Sequence, residues 1–233
     1  MNTKLATANA VIAAQNFNPS IVSQIWLVDN GIVSRNEFRQ GCVFTDMLAH
    51  VRSQRFELLV SPERLQLTPK VDRNRQKEVV VEILGQMVEL LPHTPFFAAG
   101  VNLTWHVAPE PDINSYTKSL FFKSDSALFR AFDVDDAQFG GFLSKDVLGC
   151  RLKLDVKPIV AVVADNPHTK TQKLQLAFNF HLDLDRTDPV QQIKDLMSKW
   201  DDACVVSEEM LSLLEGAQNG QDDCRSLNRG CCG

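Results

Sequence analysis

Residues 173–185 alternate in polarity at every second position. Leu174, Leu176, Phe178, Phe180, Leu182 and Leu184 stand between Gln175, Asn179, His181, Asp183 and Asp185. Leu148 to Val163 does the same, setting Leu152, Leu154 and Val156 against Arg151, Lys153, Asp155 and Lys157. A period of two sends successive side chains to opposite faces of a strand, so each segment has one apolar and one polar face. The turn-forming run Asp165-Asn166-Pro167-His168 joins them, which predicts an antiparallel pair. Phe96 to Val107 is a third such strand, with Val101, Leu103, Trp105 and Val107 opposite Asn102, Thr104 and His106, broken by Pro109-Glu110-Pro111. A sheet built this way must be covered on one side.

The cover is legible as helical stripes. Val80, Ile83, Leu84, Met87, Val88 and Leu91 recur at the helical period until Pro92. Asp112 can cap a helix that gathers Ile113, Tyr116, Leu120 and Phe121, with a further helical turn over 125–132. A last helix starts with Asp188 as cap, Pro189 at its first position and Gln191 completing a capping box. Its stripe is Val190, Ile193, Met197, Trp200, Cys204, Leu211 and Leu214, with a bend or split at Val205-Val206-Ser207 and an end at Gly216. Earlier in the chain, residues 8–17 read as a strand, and Ile21 to Val28 as a short helix ended by Asn30-Gly31. Residues 42–52 read as a strand. Residues 56–60 and 65–67 form a hairpin about Ser61-Pro62-Glu63-Arg64. Phe139-Gly140-Gly141-Phe142 is a corner.

Together these elements predict an α+β fold: a two-layer sandwich of a mainly antiparallel sheet with helices on one face. The order suggests two β-α-β-β-α halves, over 8–91 and 95–215, inside a single domain spanning 1–216. Residues 217–233 offer Leu227 as their one large apolar group, and ordering a residue costs about 1–2 kcal/mol, so this segment reads as a disordered tail.

Composition narrows the setting. Of 233 residues, 44% are hydrophobic and 23% charged, an ordinary globular balance. The formal net charge of −5 gives no global attraction to nucleic acid or an anionic membrane. No run of apolar residues is long enough to span a bilayer, so no membrane partner is expected. Met1 to Ala14 resembles a leader only faintly, because Thr7 and Asn9 break its apolar core. Six cysteines include no CxxC pair: Cys42, Cys150 and Cys204 read as buried thiols, while Cys224, Cys231 and Cys232 crowd the end. Free thiols suit a cytoplasmic protein.

The polar sheet face is the candidate site, an interaction face of Asn102, His106, Arg151, Lys153, Asn179, His181, Asp183 and Asp185. His181, Asp183 and Asp185 stand in a row about 6–7 Å apart, which could in principle ligate a divalent metal, though no ligand motif has diagnostic spacing and neither metal nor cofactor is expected. Lys70, Arg73, Arg75 and Lys77 form a basic cluster before a helix and suit a phosphate contact. Asp133, Asp135 and Asp136 form a charged loop. Nucleic-acid binding on the sheet would need stacking aromatics, whereas Trp105, Phe178 and Phe180 fall on the apolar side. The chain lacks GxSxG, GxxxxGK[ST], GxGxxG and HExxH motifs, and its five histidines are scattered. The expected function is therefore a non-enzymatic adaptor or regulatory subunit of a larger assembly, of bacterial or phage type, with a protein partner or a second copy of itself. The alternatives are a metal-dependent hydrolase or nuclease using His181, Asp183 and Asp185, and a nucleic-acid-binding accessory protein.

Overall fold

In a computed structural model, which describes residues 2–108, 112–121, 126–132, 134, 137–163 and 166–227, nine strands form one sheet in the order β2-β3-β4-β5-β1-β6-β9-β8-β7. The strands are β1 (Asn2–Ala14), β2 (Val43–Phe44), β3 (Ala49–Arg52), β4 (Phe56–Val60), β5 (Arg64–Pro69), β6 (Phe96–Ala108), β7 (Gly141–Val147), β8 (Cys150–Val163) and β9 (Asn166–Asp183). Every neighbouring pair is antiparallel. The helices are α1 (Gln24–Asp29), α2 (Gln76–Leu90), α3 (Ile113–Phe121), α4 (Ala127–Ala131), α5 (Pro189–Ser198) and α6 (Trp200–Leu227). None of them is long and apolar enough to cross a membrane.

The alternation decides the layering. On β6, Val101, Leu103 and Val107 are buried while Asn102, Thr104 and His106 are only half-buried, and β9 repeats this with Leu174, Leu176, Phe178 and Phe180 against Gln175, Asn179 and His181. Helices α2, α5 and α6 pack on the apolar side, α2 over β5 and both α5 and α6 over β6. Trp105 points into that layer and donates its indole N–H to Ser207 Oγ on α6 at 3.1 Å. The sandwich is thus two-layered, with helices on one face.

Each half of the chain places its first strand at the sheet's centre, crosses to an edge and returns inward. After β1 the chain reaches the edge strand β2 and comes back through β3 and β4 to β5, beside β1. After β6 it reaches the opposite edge at β7 and returns through β8 to β9, beside β6. The halves carry more elements than the five-element pattern read from the sequence: β-α-β-β-β-β-α, then β-α-α-β-β-β-α-α.

Several boundaries differ for physical reasons. Residues 42–52 are two short strands, because the Thr45 hydroxyl accepts the backbone N–H groups of Met47 and Leu48 and turns the chain between them. Strand β7 was not expected; its side chains are mostly exposed on both faces, so it lacks the alternating burial signal. The turn from β7 to β8 also lacks a turn signature, since Leu148 adopts φ 55° beside Gly149 at φ 71°. Strand β1 begins earlier than residue 8, and β9 begins at Asn166. Beyond Val156 and Leu174, β8 and β9 pair only with each other.

The final helical region breaks at Lys199 rather than at 205–207. Asp188 caps α5 as expected, accepting from Gln191 N at 3.0 Å, but the Gln191 amide donates forward to Asp195 instead of closing a capping box. Gly216 does not end α6, whose backbone continues to Leu227; one glycine costs a helix about 1 kcal/mol, which does not by itself stop it. The expected breaker Pro109-Glu110-Pro111, the loop residues Asp133, Asp135 and Asp136, and Cys231 and Cys232 lie outside the described residues.

Trp200 is fully buried where α6 begins, in phase with Ile193, Leu196, Met197 and Cys204. Removing such a ring leaves a cavity, so Trp200→Ala is expected to lower stability by about 3–5 kcal/mol in a urea melt.

Candidate functional site on the open sheet face

Antiparallel pairing in register aligns the polar side chains into rows across the strands. One row is Asn9, Asn102, Asn179 and Lys153, on β1, β6, β9 and β8. Its three amides form a ladder: Asn179 Nδ2 donates to Asn102 Oδ1 at 2.5 Å, and Asn102 Nδ2 donates to Asn9 Oδ1 at 3.0 Å. The next row runs His50, Leu59, Gln66, Val11, Gly100, His181 and Arg151. A third is Arg64, Ala13, Ala98 and Asp183.

Small residues at the middle of these rows leave a shallow trough of about 310 Å³. Val11, Ala13, Ala98 and Gly100 floor it, and Arg64, Asn102, Asn179 and His181 wall it. A Cβ on Gly100 would sit 3.3 Å from the Phe180 carbonyl oxygen and 3.4 Å from Asn179 Nδ2, a tight fit in which that carbonyl would have to give by a few tenths of an ångström.

Of the eight residues read as one interaction face, the fold brings seven onto the open side of β6, β8 and β9. His181 Nε2 lies 3.0 Å from Asp183 Oδ1, and Arg151 reaches Asp146 on β7 at 3.0 Å. Burial first, then the nearby cations Lys173 and Lys4, hold His106 below its ordinary range. Asp185 lies past the end of β9. Its carboxylate accepts from the Thr187 hydroxyl and backbone N–H, which keep its pKa low. His181, Asp183 and Asp185 therefore do not converge, and among the described residues no three His, Cys, Asp or Glu side chains could hold a metal ion.

The basic cluster before α2 is dispersed. Lys70 pairs with Glu57 at 3.1 Å, Arg73 with Asp201 on α6 at 2.9 Å, and Arg75 with Glu78 at 3.7 Å. Lys77 has no carboxylate among the described residues. Lys70 thus reaches β4 and Arg73 reaches α6, while Arg75 pairs within its own turn.

The sequence reading missed the first half of the same face. Glu57 on β4 accepts from His50 at 2.8 Å, from Lys70, and from Arg52 at 3.4 Å. Arg52, Glu57 and Lys70 line one side of a second depression of about 280 Å³ with Arg39, Gln40, Ser53 and Phe56. The signal was faint because β3 and β4 are short and Leu59 interrupts the polar positions. Cys42, expected to be buried, is half-buried, with its Sγ donating to the Arg39 carbonyl at 3.3 Å and accepting Arg52 N at 3.2 Å. Cys150 and Cys204 are buried, and burial pushes the Cys204 thiol up to about 12.

The chain matches no protein-family model and no curated protein sequence.

Two outcomes follow from this geometry. His181→Asn with Asp183→Asn removes side chains that no helix covers, so the urea midpoint is expected to stay within about 0.5 kcal/mol of wild type. The second concerns Glu57, which hydrogen bonds from His50 first, then Lys70, hold at about 2 against an ordinary 4.5. A carboxyl held low in the fold stabilises it above the unfolded-state value and loses that contribution as pH falls to the folded one. The stability gap between wild type and Glu57→Gln should be full at neutral pH, narrow below 4.5 and close by about 2 in pH-resolved urea melts.

Proposed function

We propose that this chain is a non-enzymatic adaptor or regulatory subunit that docks a protein partner on the open face of its sheet. The observation that carries this reading is the polar surface across the sheet's centre, on the side away from α2, α5 and α6. Its rows of side chains are held by backbone pairing and by the asparagine ladder, and they surround a trough. Side chains fixed on a rigid sheet lose little entropy on binding, which favours recognition. A half-buried polar surface of this breadth suits a partner that hydrogen-bonds across it. The hydrolase or nuclease alternative would need Asp185 beside His181, whereas Asp185 is committed to its own turn.

A photoreactive residue at position 179, in the trough wall, tests the reading against the same residue at Glu209, exposed on α6. In cells of the source organism, position 179 is expected to yield one discrete protein adduct that position 209 does not. No adduct from 179, or the same adducts from both, overturns it.

A further inference from the structure

The open face is cationic in a chain whose formal net charge is −5, with 29 acidic and 24 basic residues. Every carboxylate on the strands of this face already has a partner. Glu57 is held by His50, Arg52 and Lys70; Asp146 by Arg151; Asp155 by Lys157 at 2.9 Å; and Asp183 by His181. Lys4, Arg64, Lys153 and Lys173 remain without a carboxylate among the described residues. They are spread over the face: Lys4 beside His106, Arg64 beside Ala13, Lys153 beside Asn179, and Lys173 beside Ile159.

These positions have a definite span. From Lys4 to Ala13 along β1 is on the order of 30 Å, and from β5 to β8 is four strand spacings, roughly 19 Å. Arg64 and Lys153 lie four strand spacings apart, and Lys4 and Lys173 share a third point beside His106, so no single small anion answers all four cations. The trough between them is also rich in donors. The ladder engages the acceptor oxygens of Asn9 and Asn102, and each amide nitrogen in it retains an N–H beyond the one the ladder uses. Arg64 adds its guanidinium at the trough wall. A carboxylate accepts hydrogen bonds and donates none, so it complements this lining.

We propose that the open face is a seat for an acidic polypeptide segment in extended form. Its carboxylates supply the counter-charges that Lys4, Arg64, Lys153 and Lys173 lack, and one carboxylate sits in the trough against Arg64. This deepens the docking reading above and rests on it. Charge complementarity selects the partner class: a neutral partner would leave the face's surplus charge unanswered, and a basic one would be repelled. Single-stranded nucleic acid also carries anions, but it needs aromatic rings for its bases. Among the described residues the trough is lined by no Phe, Trp or Tyr ring, and Trp105, Phe178 and Phe180 lie on the helix side.

The test uses the full chain and a fluorescein-labelled peptide of alternating Asp and Ser, about nine residues long to match the span of the face, followed by fluorescence anisotropy. An oligothymidylate of the same charge is the comparison probe. The peptide is expected to bind at low salt, to weaken as salt rises, and to outcompete the oligothymidylate. Arg64→Glu with Lys153→Glu is expected to weaken peptide binding by roughly tenfold or more. Lys77→Glu with Lys194→Glu changes the net charge equally on the helix layer and is expected to leave binding within about twofold. Arg64→Gln and Lys153→Gln, made singly, replace the reversal pair if its urea midpoint shifts, and each is expected to weaken binding. No peptide binding, equal loss in both charge-reversal pairs, or preference for the oligothymidylate overturns the proposal. A crosslinked partner from position 179 whose docking segment is neutral overturns the acidic assignment and leaves the docking face standing. Absence of any such adduct fails the docking reading itself.

Discussion

The sheet is one surface only because β1 pairs with β6. Strands β2 to β5 attach on one side of that seam and β7 to β9 on the other, and among the described residues β1–β6 is the one strand pairing that joins the halves. The pairing runs from Asn2 opposite Ala108 to Ala14 opposite Phe96, with irregularities near each end. It sets the register that carries Val11 opposite Gly100 and Asn9 opposite Asn102. A slip of one residue would turn Ala8, Ala10 and Ile12 out of the core and push Asn9 into it, so the buried face holds the register in place. The trough, the amide ladder and the alignment of Arg64 with Asp183 all inherit that register.

Hydrophobic burial on one side and polar exposure on the other are thus parts of one arrangement. Helices α2, α5 and α6 answer the apolar face, with Trp200, Ile193 and Met197 packed beneath Leu103 and its neighbours in a single core. Arg73 on the approach to α2 pairs with Asp201 on α6, and Lys194 on α5 pairs with Glu89 on α2, which ties the helices to one another at the layer's surface. Both are exposed enough that each contributes less than about 1 kcal/mol. The sandwich is held by its apolar interior, and the open face lies outside that packing.

Strict alternation made the long strands legible. Residues 96–107, 148–163 and 173–185 announce their pleat, and the last two pair antiparallel as expected, although Asn166, Pro167 and His168 of the expected turn are the first residues of β9. The stripes of α2 and of the final helical region, and the capping role of Asp188, follow from spacing and residue type alone. Short elements were not legible. Val43–Phe44 carries two residues of signal, and β7 exposes both faces, so neither has a buried face to betray it. The candidate site was half legible: alternation assigns residues to a face, but which strands are neighbours is a long-range fact. Nothing local places Arg64 near His181, because two strands, β1 and β6, lie between their own, and the residues separating them in sequence form half the fold. In the cluster before α2, neighbours in sequence pair with different carboxylates, Lys70 with Glu57 and Arg73 with Asp201.

The inward-returning route of each half also has a temporal side. Strand β1 is made before both of its neighbours, β5, starting at Arg64, and β6, starting at Phe96. Until those segments exist, the apolar run Ala8 to Ala14 has no hydrogen-bonding partner of its own. The central seam therefore closes late, across a large loop, and β9 completes the other side later still. Chains dominated by such distant pairings fold on the slow end of the range, in milliseconds to seconds. During that interval β1 is an exposed strand in search of an edge, which makes the newborn chain, rather than the finished sandwich, the form most exposed to aggregation.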